Sequence, residues 1–254
     1  MTGPAIQLHA LAGIPLVNPG DDLAHLISDA LIRTNLLPVS GDVIVIAQKL
    51  VSKAEGRMRR LSSVTAGDEA LQLAEATDKD PALVQLILDE SRSILRHRPG
   101  VIIAEHKLGM VLANAGIDRS NVTDDRDAVL LFPVDPDASA AALKRRIDEH
   151  FSVSVGVVIA DSVGRAWRMG TTGLAIGCAG VEALANLRGQ HDMFGRELEV
   201  SEHAVADSIA SAAELLMGEA DEATPVVLLR GLEEGSSAQQ SSVLLRPADE
   251  DMFR

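Results

Sequence analysis

The sequence predicts an α+β fold with more than one β-sheet. Three observations carry that reading: short apolar runs that look like buried strands, longer segments with apolar residues at helical spacing, and an alternation of the two that lacks the regular spacing of a doubly wound sheet. The 254 residues suffice for one large domain or two small ones, and a hydrophobic fraction of 46% is ample for a packed core.

In chain order, "DDLAHLISDALIRT" puts Leu23, Leu26, Ile27, Ala30 and Leu31 at helical spacing, with Asp21 as N-cap. "GDVIVIAQKLVSKAEG" starts after a Gly-Asp turn as a buried strand, Val43 to Ala47, and runs into a polar, basic segment. "VTAGDEALQLAEATDKD" reads as a solvated helix face, and "DPALVQLILDESRSIL" as a strong helix with Pro81 in its first turn. "GVIIAEHKLGMVLANAG" reads as two short strands or a hairpin, and "PVDPDAS" as proline turns leading into the helix "SAAALKRRIDEH". "SVSVGVVIAD" is a strand whose C-terminal end is Asp161. "SEHAVADSIASAAELLMG" is a helix stopped by Gly218, a natural C′ residue, and "TPVVLLRG" is a last strand. "EEGSSAQQSS" is polar and rich in Gly and Ser, so it reads as a mobile loop.

Composition narrows the function classes. A net charge of -14 argues against general nucleic-acid binding, which draws its affinity from clustered Lys and Arg. With no Tyr and 2% aromatic residues there is no stacking platform for single strands. No apolar run approaches the roughly 20 residues of a membrane span, and the N-terminus lacks a signal-peptide pattern, so a cytoplasmic protein with no membrane partner is expected. The lone Cys178 forms no internal disulfide and is expected to pack as a small hydrophobe. An acidic chain binds a small anion only through locally focused cations, metal ions or backbone N–H groups.

Such a focus stands at "VGVVIADSVGRAWRMGTTGLAIG". An apolar run ends in Asp161, and Arg165 and Arg168 follow among glycines, a pattern suited to a polyanion held through metal and bidentate arginine. No phosphate loop, dinucleotide-binding glycine motif or Cys/His zinc pattern is present. Instead Asp118, Asp161 and Glu219 stand as isolated carboxylates at the edges of apolar or Gly-rich segments, hard ligands of the kind that Mg²⁺ or Mn²⁺ prefers. Taken singly, each is better explained as a cap or turn residue.

Six ordered motifs, "GIPLVNPGDDL", "AQKLVSKAEGR", "LANAGIDRSNV", "LLFPVDPDASA", "ADSVGRAWRMGTTGLAIG" and "MGEADEATPVVLLRG", resemble the coenzyme F420-0:L-glutamate ligase family from Gly13 to Gly231, and "LLRPADEDMFR" resembles its tail. The resemblance implies an unusual two-domain α+β arrangement, with two intertwined subdomains and no clean boundary, that forms a homodimer. It implies addition of L-glutamate to the lactyl carboxylate of a deazaflavin coenzyme precursor, then of further γ-linked glutamates, with GTP as co-substrate. Two divalent ions, Mg²⁺ or Mn²⁺, are implied, with K⁺ an open addition.

Carried over by motif, the resemblance implies metal ligation by Asp118, Asp161, Ser162 and Glu219. It implies GTP contacts from Ile14, Pro15, Leu16, Val17, Gln48, Lys49, Lys53 and Asn121. The segment Met217, Gly218, Glu219, Ala220, Asp221, Glu222, Ala223 and Thr224 completes that set. Lys53, Arg165 and Arg168 would be the catalytic cations, Lys53 as a point charge for phosphate and the arginines against phosphate or substrate carboxylate. His106, His191 and His203 are candidates for a general base with no distinguishing feature.

This sequence departs from the family pattern at several positions. Ser162 stands for the usual threonine, Gln48 and Lys49 for a Ser-Lys or Ser-Thr pair, and Glu219 for a glutamine or lysine. Met169 and Thr171 stand where asparagine and glutamine are common, and Gly173 where an aspartate is. These losses of polar groups keep two alternatives open: a related nucleotide-dependent amide ligase for another carboxylic or amino acid, and a non-catalytic nucleotide-binding protein.

Overall fold

Strands and helices alternate irregularly along the computed structural model, which describes residues 3–232, 235 and 238–252. The elements are β1 (Gln7–Ala10), α1 (Leu23–Arg33), β2 (Val43–Ala47), α2 (Gln48–Ala54), β3 (Met58–Arg60), α3 (Asp68–Thr77), α4 (Pro81–Glu90), β4 (Ser91–Arg98) and β5 (Val101–His106). They continue as β6 (Val111–Ala113), β7 (Ala128–Leu130), α5 (Pro136–Phe151), β8 (Gly156–Arg165), β9 (Arg168–Ala179), β10 (Leu184–Asn186), β11 (Glu202–Ala204), α6 (Val205–Met217) and β12 (Val226–Arg230). The predicted α+β class with several sheets is what forms. The loop expected at "EEGSSAQQSS" lies partly outside the described residues, while Ser241 and Ser242 sit in a 3₁₀ turn, Ser241–Leu244.

The main sheet has the order β1-β12-β2-β8-β9, and within it β2 and β8 run parallel while the other pairs are antiparallel. Both of its faces are covered, which is why β2 and β12 read as continuous apolar runs instead of alternating ones. One face of β2, Ile44 and Ile46, packs with α1, α2 and α5 through Ile27, Leu31, Val51, Leu143 and Ile147. The other, Val43 and Val45, packs with α6 through Ala206, Ile209, Ala210 and Ala213. A separate core joins α3 and α4 to β5 through Ala70, Leu83, Val84, Ile87, Ile102 and Ala104. Among the described residues no helix is long and apolar enough to cross a membrane.

Four local expectations are corrected. Asp22, not Asp21, caps α1 by accepting from the His25 amide at 3.1 Å, while Asp21 accepts from the Asn18 amide at 2.7 Å in the preceding turn. The polar segment after β2 is the helix α2. The helix at Pro81 ends at Glu90, because Ser91 turns extended and pairs with His106, so "SRSILRHR" becomes β4. β8 runs on past Asp161 to Arg165, since ladder pairing with β9 continues after the burial stops. Cys178 is buried, its thiol donates to the Gln239 carbonyl at 3.3 Å, and burial pushes its pKa up to about 12.

The second core is tied to the first by a buried polar junction. Arg57 donates to the Phe132 carbonyl and to Glu90, each at 2.7 Å, and the buried His106 ring stands 3.6 Å from the same Glu90 oxygen. Burial opposes the Glu90 charge, but His106 and Arg57 together hold its pKa below the usual value. Arg57→Met leaves that carboxylate without its main partner, so a loss of about 3 kcal/mol in urea unfolding at neutral pH is expected.

Candidate active site

The parallel pair β2·β8 is in register at Ala47 and Ala160, so both strands deliver their next residues to the same edge of the sheet. β2 hands over directly to Gln48 and Lys49 at the start of α2, and β8 continues into Asp161 and Ser162. A cleft of about 820 Å³ opens there. Its walls are Ile14 to Asn18, the α2 residues Gln48, Lys49 and Lys53, residues 121–124, Asp161 and Ser162, and the segment from Met217 to Pro225. Every residue expected to contact nucleotide therefore lines one cavity. Asp118 is not in the wall itself but pairs with Lys49, which is.

Each wall is locally pinned. Arg33 donates to the Gly13 carbonyl at 2.9 Å and steadies the 14–17 segment. Asn121 adopts a left-handed φ of 55°, and its amide donates to the Ala220 carbonyl at 2.8 Å, so two remote loops close on each other. Gly218 ends α6 with φ 69°, where a Cβ would collide with the Glu222 carboxylate at 2.0 Å. Thr224 donates back to the Leu216 carbonyl at 2.6 Å.

Cations and carboxylates are interleaved. The Lys49 ammonium lies 2.8 Å from Asp118 Oδ2, and Lys53 donates to the Asn121 carbonyl at 3.0 Å. Burial and the neighbouring Lys49 charge hold the Lys53 pKa below its usual value. Asp161 is half-buried in the wall; desolvation and the Asp118 charge raise its pKa to about 7, against the opposing pull of Lys49. Gln48 Nε2 is buried without a hydrogen bond of good geometry, yet faces that carboxylate closely enough to favour its charge. Ser162 and Thr171 both donate to Glu219, at 3.1 and 3.0 Å.

Glu214 was not expected. Burial and a hydrogen bond to Glu219 raise its pKa to about 7, while the same bond lowers that of Glu219. The signal was present in the sequence: Ala206, Ala210 and Glu214 step by four along one face of α6, and a lone acid on an otherwise apolar stripe calls for a partner.

Arg165 and Arg168 are not brought to the cleft. They face each other across the tip of the β8–β9 hairpin, where Arg165 donates to the Met169 carbonyl at 2.9 Å and Met169 is 95% exposed. The apolar-to-basic transition that suggested a phosphate site marks the point where the hairpin leaves the core. Gly173 has a packing cause: a Cβ there would lie 2.5 Å from the Ala210 backbone, so β9 and α6 meet with no room for an aspartate. Thr171 orients Glu219 from outside the wall. None of His106, His191 and His203 lines the cleft.

The donor set suits a hard cation, since Asp118, Asp161, Ser162 and Glu219 offer only oxygen. Among the described residues no three carboxylate, imidazole or thiolate groups converge into a full cage. An ion held by these residues would need phosphate oxygens and water to complete its shell. Gln48 Oε1 accepts from the Ser52 hydroxyl at 2.8 Å, while its Nε2 faces Asp161 without a hydrogen bond of good geometry.

Residues 13–231 match the F420-0:Gamma-glutamyl ligase family. The coenzyme F420:L-glutamate ligase of Methanothermobacter thermautotrophicus is 44% identical over 251 residues, which cover 98% of this chain and 99% of that protein. Its namesake from Methanopyrus kandleri is 46% identical over 255 residues, with 99% and 98% covered. That of Archaeoglobus fulgidus is 41% identical over 249 residues, with 98% and 96% covered.

A carboxyl group whose folded-state pKa is raised binds an extra proton on folding, so stability is full below its unfolded value near 3.8 and is lost as pH rises through about 7. In chelator, Asp161→Asn is expected to remove this loss. The variant should gain about 2–4 kcal/mol on the wild type between pH 4 and pH 8, read from urea midpoints.

Proposed function

The chain belongs to the F420-0:gamma-glutamyl ligase family, and we propose that it joins L-glutamate to the carboxylate of a deazaflavin coenzyme precursor, using GTP and divalent cations, as a homodimer. The observation that carries this reading is the cleft: one cavity gathers Lys49 and Lys53 on a single helix, carboxylates on two other segments, and a backbone-rich loop from Met217 to Thr224.

Amide synthesis must overcome a poor electrophile and a poor leaving group. In the proposed route an oxygen of the acceptor carboxylate attacks the γ-phosphorus of GTP, the bond to the bridging oxygen breaks, and GDP leaves. The amine of glutamate then attacks the carbonyl carbon of the acyl phosphate, the carbon–oxygen bond breaks, the nitrogen loses a proton, and phosphate departs. Lys53 fits the task of holding phosphate oxygens, because its ammonium is fixed at the Asn121 carbonyl and is already partly desolvated. Asp118, Asp161, Ser162 and Glu219 would hold Mg²⁺ or Mn²⁺, which when bound neutralises charge on the transferring group. Gln48 would orient the Asp161 carboxylate, and Thr171 that of Glu219.

A homodimer is supported by large apolar side chains exposed on two segments of chain, Trp167 and Met169 on the hairpin and Met193 and Phe194 between β10 and β11. Burying such a set against a second copy removes apolar area that a monomer leaves in water.

Incubation with the deazaflavin precursor, glutamate, GTP and Mn²⁺ is expected to yield a product heavier by one or more glutamyl units in mass spectrometry, with GDP formed in step. Asp161→Ala should lower the rate at least about 100-fold without unfolding. GDP and phosphate release without a glutamylated product would point to another acceptor, and no nucleotide turnover at all would refute ligase activity. Lys53→Ala should weaken GTP binding at least about tenfold in calorimetry with Mn²⁺ present.

A further inference from the structure

The Asp118 carboxylate is already committed within the chain. Oδ1 accepts from both the amide and the hydroxyl of Ser120, at 3.0 and 2.9 Å, which fills both lone pairs of that oxygen. Oδ2 holds the Lys49 ammonium at 2.8 Å. A divalent ion reaching Asp118 therefore meets Oδ2, and meets it with a positive charge in place. One lone pair of Oδ2 stays open, but two cations on one oxygen repel at such range, so an ion arriving there drives the ammonium off.

Lys49 is suited to moving. It lies in the first turn of α2, its other contact is a long one of 3.4 Å to the Ser120 hydroxyl, and a flexible four-carbon stem carries its charge. Its field extends beyond Asp118, because the same ammonium favours the charged forms of Asp161 and Glu219. It is thus a cation shared by Asp118, Asp161 and Glu219. Beside it, the buried Gln48 Nε2 faces Asp161 without a hydrogen bond of good geometry, so this corner is not closed by its own side chains.

We propose that Lys49 is a tethered stand-in for the divalent ion: its ammonium takes the cation position at Asp118 Oδ2, and ion loading is an exchange in which the ammonium leaves that oxygen. The proposal rests on the metal reading of the site given above and adds how the ion is admitted. While the ammonium is in place it offsets repulsion among the carboxylates, and once displaced it is a free positive charge at the cleft wall, where phosphate oxygens can accept it. Nucleotide and ion then help each other to bind through one side chain.

The test uses full-length, chelator-stripped protein and Mn²⁺ alone, with binding read by electron paramagnetic resonance. Lys49→Met is expected to bind Mn²⁺ at least about tenfold more tightly than wild type, and Lys49→Arg no more tightly than wild type. In wild type, acylation of the Lys49 amine, read by mass spectrometry, is expected to rise several-fold when Mn²⁺ is added. Unchanged or weaker binding by Lys49→Met, with wild-type binding intact, overturns the exchange and leaves the metal reading standing. Absence of Mn²⁺ binding by wild type, or equal binding by Asp118→Asn, overturns both. Should Lys49→Met fail to fold, the acylation experiment decides alone, and no rise with Mn²⁺ overturns the proposal.

Discussion

The parallel pairing of β2 with β8 is the constraint from which the site follows. Parallel neighbours end on the same side, and the register that sets Ala47 beside Ala160 puts the next residues of both strands at one edge. Ligands gather outside the carboxyl ends of parallel strands for this reason. Shifting the register by one residue would turn Ile44, Ile46, Val157 and Ile159 from one helical layer to the other, and the two cores on either side would hold it against that change. Packing that lies far from any ligand thus aligns Gln48 and Lys49 with Asp161 and Ser162.

On this frame an acidic chain gathers positive charge by local arrangement. The chain carries -14 net charge, yet two of its lysines stand one turn apart on α2 and face the cleft. Each is balanced differently, Lys49 by the Asp118 carboxylate and Lys53 by the Asn121 carbonyl. A neutral acceptor restrains an ammonium without cancelling its charge, so Lys53 keeps the stronger field toward a phosphate. Lys49, spent on a carboxylate, serves the carboxylates first.

Much of this was legible in the sequence. Strands buried on both faces have a plain signature: β2 spans its apolar run, and β12 ends one residue past its own, at Arg230. The end of α6 at Gly218 followed from the positive φ that glycine allows. What stayed hidden depended on partners distant in the chain. Nothing local distinguishes the helical "VQLILDE" from the strand "SRSILRH"; pairing with β5 decides it. α2 is short and polar, and it forms because Leu50 and Val51 find the core under the sheet. Of the site, the cleft-lining segments emerged through the ordered motifs. Arg165 and Arg168 lie apart from the cleft of their own chain; a basic turn at a strand end looks the same whether it closes on a ligand or tips an exposed hairpin. Gly173 misled: its missing side chain looked like a lost polar group until Ala210 was seen against it.

That contact between Gly173 and Ala210 also settles how the cleft can breathe. Where two backbones touch with no side chain between them, neither slides nor tilts without collision, so β9 and α6 form a rigid wall. The loop that follows α6 is tied to this wall by side chains instead: Ser162 and Thr171 donate to its Glu219, and the Asn121 amide donates to its Ala220 carbonyl. Two backbones in contact on one side and a loop tied by hydrogen bonds on the other give the cleft walls of unequal stiffness.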